Sequence, residues 1–188
     1  MDGHWLNHGE MLMNISQPGL YIDHMLRTTR MHHVQLSSMA DVKASMLLTI
    51  ASVVITLSAS QVMKPGFIWP AFILIAFCLV TIVLATYAVM PKLPVLVKPG
   101  STPEIDSPFF NLLFFGDFVR LEYDEFEAAM EEILNDHSRS YQAQVRELYT
   151  LGMFLATKKY RFIRMAYISF IAGLIASCFA MLFVAIPG

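Results

Sequence analysis

The stretch ASMLLTIASVVITLSASQVM at residues 44–63 contains no charged residue. It is long enough to cross a bilayer as an α-helix, which takes about 20 predominantly apolar residues. Residues 67–90 and 165–186 share both properties. A Lys-Pro-Gly tripeptide at 64–66 separates the first two stretches, and because Pro and Gly end helices it predicts a tight hairpin turn. The sequence therefore predicts three transmembrane helices.

The composition agrees with a membrane protein. The 188 residues are 56% hydrophobic and 15% charged, whereas soluble domains carry roughly 25% charged residues. The net charge of −2 excludes a generally basic nucleic-acid-binding protein. Cys78 and Cys178 lie in apolar runs, so there is neither a disulfide framework nor a metal-binding cysteine spacing. A secreted mini-protein, a disordered chain and an ordinary soluble enzyme are excluded, and no cofactor is predicted.

The positive charges predict the orientation in the membrane. Of the 13 Lys and Arg residues, all but Lys64 lie before the first span or between the second and the third. The positive-inside rule makes that side cytoplasmic. We therefore expect the N-terminus in the cytoplasm and the C-terminus on the outer side of the membrane.

The predicted fold class is an all-α membrane protein whose three transmembrane helices carry long cytoplasmic helical extensions and a cytoplasmic helical region. One extension begins near residue 19, because residues 21–43 contain no Pro or Gly. The other begins near Ser138, and we expect the two to pack together as a stalk. The predicted organisation is a flexible arm (1–18), a cytoplasmic helix with the first two spans (19–90), a cytoplasmic linker and helical region (91–164), and the third span with its tail (165–188).

A stripe of polar residues runs along the first helix with a spacing that repeats every 11 residues, about 3.67 residues per turn. Such a face of a membrane helix avoids lipid. It either packs against another helix, where Ser and Thr are common, or lines a water-filled path in an oligomer, with Asp41 at the cytoplasmic mouth selecting cations. The polar stripe comprises Ser38, Asp41, Ser45, Thr49, Ser52, Thr56 and Ser60, of which Asp41, Ser45, Thr49, Ser52 and Thr56 are the candidate pore-lining residues.

Cations beside the spans are the candidate ligand contacts. Positive-inside topology and anionic lipid explain a cationic cluster at 158–164, and snorkelling explains Lys43. The functional alternative is phosphate binding, because Lys and Arg both bind phosphate. The candidate phosphate contacts are Lys43, Arg120, Arg146, Lys158, Lys159 and Arg161.

Small residues recur every four positions on the third span, at Ser169, Gly173 and Ser177. This pattern predicts close helix packing, either in a tight three-helix unit or between copies of the chain.

The sequence lacks the common catalytic motifs, namely G-x-S-x-G, the P-loop, G-x-G-x-x-G and H-E-x-x-H. Adjacent helical residues point to different faces, so His32 and His33 do not predict a shared metal ion. We therefore predict that the protein is not an enzyme. A membrane-bound hydrolase that uses His32, His33 and Asp41 is the enzymatic alternative.

Three motifs, in this order and spacing, resemble the Pycsar transmembrane effector family. H-x7-D-x-K-A-S at 33–45 leads into the first span, and NLLFFG at 111–116 follows a Pro-rich linker. Y-x-L-G at 149–152 precedes KKYR at 158–161 and the last span. The resemblance covers roughly residues 31–181.

The resemblance implies a bacterial anti-phage effector of the inner membrane that causes abortive infection. In that family a nucleotidyl cyclase makes a cyclic pyrimidine mononucleotide, and the effector responds by impairing the membrane. A related alternative is a Hailong-type channel, held shut by short DNA oligomers that a partner nucleotidyltransferase makes. Both imply a nucleotide-like anion as the ligand.

The leading hypothesis is a nucleotide-regulated pore or membrane-disrupting effector that acts as a homo-oligomer in contact with membrane lipid. The alternative from another class is a structural or adaptor membrane protein whose cytoplasmic helices dock a partner.

Overall fold

The computed structural model describes Ile15, residues 19–90 and residues 110–185. Of these residues, 86% are helical and none lies in a strand. The predicted arm at 1–18, except Ile15, and residues 91–109 of the predicted linker and helical region lie outside the described residues. The helices are α1 (Leu20–Ala59), α2 (Ile68–Val89), α3 (Phe115–Phe118), α4 (Tyr123–Asn135), α5 (His137–Phe154) and α6 (Arg161–Ala185), with a π-helical turn at Leu155–Tyr160 between the last two.

Three helical segments are long and apolar enough to cross a membrane: Leu20–Ala59, Ile68–Val89 and His137–Val184. The prediction of an all-α protein with three spans is confirmed. The first helix ends at Ala59, four residues before the predicted limit, because residues 60–67 form turns. Gly66 has a φ of 88°, a left-handed conformation that glycine adopts without steric cost. The predicted hairpin is therefore present.

The chain divides into two compact units. The polar unit comprises Met1–His32 and Lys92–Leu151, and the membrane unit comprises His33–Pro91 and Gly152–Gly188. The unit boundary at His32 falls within α1, so this helix contributes residues to both units.

The core of the membrane unit is built largely from small side chains on α1, α2 and α6. Alanine at such positions lets helix backbones approach closely, which is how helices associate in lipid. Leu47 and Ile163 fill the space between them. The buried cluster comprises Ala40, Ala44, Leu47, Ala85, Ala88, Ile163 and Ala166.

The small residues of the third span pack against α2. A Cβ atom at Gly173 would overlap the Cβ of Phe77. The Ser177 hydroxyl donates a hydrogen bond to the Pro70 carbonyl (3.0 Å), and the Ser169 hydroxyl donates to the Phe77 carbonyl (3.4 Å). The packing predicted for this stripe is confirmed within a single chain.

The polar unit has a separate apolar core around α4. Phe110, Leu112 and Ala129 are buried there. Helix α4 begins with a capping box, in which the Glu122 and Glu125 side chains each accept a hydrogen bond from a backbone N–H of the first turn. The partly buried side chains around this core are Phe118, Leu121, Phe126, Met130 and Ile133.

The two predicted extensions contact each other in both units. In the polar unit, the Tyr141 hydroxyl donates to Asp23 (2.7 Å) and Arg30 pairs with Glu147 (3.0 Å). In the membrane unit, the Tyr160 hydroxyl donates to the backbone carbonyl of α1 at position 36 (3.0 Å). The pairing of the extensions is therefore confirmed.

Candidate functional site

The polar stripe of α1 faces away from the other helices of the membrane unit. On the part of α1 that belongs to the membrane unit, the buried positions are Ala40, Ala44, Leu47, Ala51 and Ser58. At about 100° per residue, the polar stripe is centred roughly 140° away from this buried face. Except for Asp41, which is half-buried, every residue of the stripe is exposed. Packing within one chain therefore does not account for the stripe.

Three hydroxyl groups in the middle of the stripe donate hydrogen bonds to the backbone of α1 itself. Thr49, Ser52 and Thr56 each donate to the backbone carbonyl four residues earlier, at 2.8–3.0 Å. Such bonds remove the cost of an unpaired donor in an apolar environment. The hydroxyl oxygens still offer lone pairs, so the face can accept hydrogen bonds from water or coordinate a cation.

Near the N-terminal end of the stripe, Asp41 forms an ion pair with Lys159. The Lys159 ammonium lies 2.7 Å from both carboxylate oxygens and donates a hydrogen bond to the Ser37 hydroxyl (2.8 Å). The Lys159 side chain is 10% exposed and that of Asp41 is 48% exposed. The structure thus joins a candidate pore residue to a candidate ligand residue, which the sequence pattern did not predict.

The π-helical turn at Leu155–Tyr160 places Lys159 in this position. Leu155, Lys159 and Ile163 are all buried and are spaced by four residues. In a regular α-helix the first and last of these would lie about 80° apart around the axis. A π-turn has more residues per turn than an α-helix, so the three side chains lie along one face of the segment. Such turns are rare and occur frequently at functional sites.

One turn before Ser37, His33 packs against Gly152. A Cβ atom at position 152 would lie 3.4 Å from the His33 Cε1 atom, an ordinary van der Waals distance, so the imidazole lies directly beside this position. The Nδ1 atom of His33 is buried and has no hydrogen-bond partner among the described residues. The first and third motifs of the family resemblance therefore meet twice, at His33 with Gly152 and at Asp41 with Lys159.

The remaining candidate phosphate contacts fall into two groups. In the membrane unit, Lys43, Lys158 and Arg161 are exposed. In the polar unit, Arg120 is exposed, whereas Arg146 donates to the Phe110 carbonyl (3.0 Å). Of the four candidates in the membrane unit, Lys159 is the one whose charge is already paired.

Glu147 is buried in the polar unit. Burial raises the pKa of its carboxyl group, and the positive charge of Arg30 partly opposes this shift. The hydrogen bond to the Asp23 carboxylate raises the pKa of Tyr141. Both groups join α5 to the first three turns of α1.

Within residues 19–90 and 110–185, no three His, Cys, Asp or Glu side chains are grouped so that they could hold a metal ion. His33 and Asp41, two of the three residues of the hydrolase alternative, contact Gly152 and Lys159 respectively.

The model of the Pycsar effector protein domain matches residues 24–186. Comparison with curated proteins and with solved structures finds no match. The fold defines an all-α membrane protein with three helices able to span a bilayer. The family match covers nearly the whole chain, and the chain belongs to the PycTM family of Pycsar effectors.

Membership makes the chain a membrane-associated anti-phage effector rather than a member of a known enzyme family. It also implies regulation by a cyclic nucleotide from a partner cyclase.

Proposed function

We propose that several copies of this chain form a nucleotide-regulated pore in the bacterial inner membrane, and that opening it causes abortive infection. The observation that carries the proposal is the position of the polar stripe, on the side of α1 opposite the core of its own chain. Three helices do not enclose a pore. A ring of copies whose stripes face a common axis would line a water-filled path with hydroxyl groups.

In this proposal Ser45, Thr49, Ser52 and Thr56 line the path and Asp41 lies at its cytoplasmic mouth. The ligand is a cyclic pyrimidine mononucleotide made by a partner cyclase. The exposed cations Lys43, Lys158 and Arg161 are its proposed phosphate contacts in the membrane unit, and Arg120 and Arg146 are those in the polar unit.

Replacing two hydroxyl residues of the path tests the proposal. Thr49→Leu/Ser52→Leu should abolish toxicity in cells that also make the cyclic nucleotide, because leucine removes both the hydroxyls and the free space. Thr86→Leu is the matched control, since Thr86 is an exposed intramembrane threonine of α2 outside the stripe. Unchanged toxicity of the double variant at equal expression would contradict the pore.

A channel held closed by short DNA oligomers uses the same residues, but its ligand closes the pore instead of opening it. It predicts that the pure protein conducts ions without ligand and that a short deoxyoligonucleotide stops the conduction.

The adaptor alternative is favoured by the outer surface of α4. Tyr123 is 70% exposed and Leu134 is 66% exposed, and they lie beside the acidic residues Glu127 and Glu131 along one groove. This surface could dock a partner with apolar and basic side chains. The adaptor predicts stable co-purification of a second protein and no ion flux from the pure chain.

A further inference from the structure

We propose that the Asp41–Lys159 ion pair is a latch, and that a phosphate-bearing anion opens it by drawing Lys159 away from Asp41. The inference rests on the proposed function in one respect, because it assigns the regulation of the proposed pore mouth. The contacts that carry it all lie within the membrane unit.

The two partners of the pair differ in burial. Lys159 is 10% exposed and Asp41 is 48% exposed. A buried ammonium without a counter-charge is costly, whereas a half-exposed carboxylate is readily hydrated. Asp41 therefore tolerates separation better than Lys159 does. Lys159 is expected to leave the pair when another anion is there to receive it.

Two exposed cations offer a place for such an anion. Lys158 and Arg161 are three residues apart and flank Lys159 in the sequence, and both are exposed. A phosphate group accepts several charge-assisted hydrogen bonds at once. With Lys159 it would meet three cations, whereas Asp41 pairs with one.

The π-turn provides a conformational route for the exchange. Its winding brings Leu155, Lys159 and Ile163 into line, and the Lys159 ammonium is held there by Asp41 and Ser37. When those contacts break, the π-turn loses two interactions that stabilise it. Winding the same residues as an α-helix would carry Leu155 and Ile163 about 80° apart, so Lys159 would leave the line that faces Asp41.

Opening the latch changes the charge of the polar stripe. Asp41 is the stripe's acidic member, and in the closed latch Lys159 neutralises it. After opening, Asp41 carries an uncompensated negative charge at the end of the row of hydroxyls. That charge raises the local cation concentration, which would favour cation flow through the proposed path.

Carbodiimide cross-linking of the wild-type protein tests the latch directly, because this reagent joins a carboxylate and an amine that are in contact. The amide between Asp41 and Lys159 is quantified by mass spectrometry in nanodiscs of phosphatidylcholine. Parallel samples contain cyclic CMP, a short deoxyoligonucleotide, or phosphatidylglycerol in place of part of the phosphatidylcholine. We expect a strong cross-link without anion and at least a fivefold loss in one of the three other samples.

The sample that responds identifies the source of the phosphate, a soluble nucleotide or a lipid headgroup. In Lys158→Ala/Arg161→Ala the cross-link should form and no longer respond. Lys64→Ala, which removes a cation outside the cluster, should respond like the wild type. No cross-link at the start, an equal yield in all samples, or an unaltered response of the double variant would each overturn the latch.

Ion flux separates this result from the fate of the pore. Flux that responds to nucleotide while the cross-link stays constant overturns the latch alone. A cross-link that responds while liposomes never leak overturns the pore alone.

Discussion

Lys158 and Lys159 show how much of the site depends on environment rather than on residue type. From the sequence alone, these two adjacent lysines are equally good candidates for binding a phosphate group. In the structure Lys158 is exposed, whereas Lys159 is buried and paired with Asp41. The pairing spans 118 residues of sequence, so a local pattern does not predict it. The signal that was present is the spacing of four between Leu155, Lys159 and Ile163.

The unequal burial of the Asp41–Lys159 pair predicts unequal effects of substitution. Asp41→Asn leaves a buried ammonium without its counter-charge and should destabilise the protein by about 2 kcal/mol. Lys159→Met keeps the buried volume and leaves a hydrated carboxylate, so it should cost less than about 1 kcal/mol. The measurement is the thermal unfolding temperature of each purified variant in the same detergent. A larger loss for Lys159→Met than for Asp41→Asn would contradict the assignment.

Glu147 predicts a pH dependence of stability in the polar unit. Its pKa is raised on folding, mainly by burial, so the folded state binds the proton more tightly than the unfolded state does. Stability should therefore rise as the pH falls from neutrality towards the ordinary carboxyl pKa of about 4.3. Glu147→Gln should remove this gain, and Glu127→Gln, at an exposed position, should retain it. The comparison is made by thermal unfolding between about pH 7.5 and about pH 5. Equal pH profiles for the wild type and Glu147→Gln would contradict this role of Glu147.

At the scale of elements, the contact between α2 and α6 depends on one glycine. Gly173→Ala places a methyl group where the Phe77 side chain begins, and such overpacking costs about 1–3 kcal/mol. Cys178→Ala is the control on the same helix, because Cys178 is exposed and its replacement adds no atom to the contact. Thermal unfolding of the two variants should show a clear loss for Gly173→Ala alone. Equal unfolding temperatures would show that α2 and α6 do not pack this closely.

The spans and the hairpin could be predicted from the sequence because hydropathy and Pro-Gly turns are local properties. The start of α5 was also close to its prediction, since Asp136 caps the helix by accepting from the Ser138 N–H (2.8 Å). The π-turn was not predicted, because it depends on what Leu155 and Lys159 contact on α1. The sequence also does not determine which face of α1 packs against the other helices. It shows an alanine-rich face and a polar face, and either could contact α2 and α6.

At the scale of the whole molecule, the proposed orientation places the hairpin on the outer side of the membrane. In a background of Cys78→Ala/Cys178→Ala, Lys64→Cys should react with a membrane-impermeant maleimide added to intact cells after the outer membrane is made permeable. Ser138→Cys should react only after the inner membrane is broken. The positive-inside rule is the physical reason. Labelling of Ser138→Cys in intact spheroplasts would reverse the proposed topology.

The proposed function requires several copies of the chain to associate. The polar stripe is exposed in one copy, and within lipid a row of hydroxyls is better placed facing water or other helices than facing acyl chains. The pore therefore requires copies whose α1 helices face one another.

Ion flux from liposomes that contain the purified protein tests the proposed pore most directly. The samples contain no ligand, cyclic CMP, cyclic UMP or a short deoxyoligonucleotide. We expect cation flux that a cyclic pyrimidine mononucleotide switches on and that Thr49→Leu/Ser52→Leu abolishes. Absence of flux in every sample, from protein shown to be folded and oligomeric, would contradict the pore and favour the adaptor.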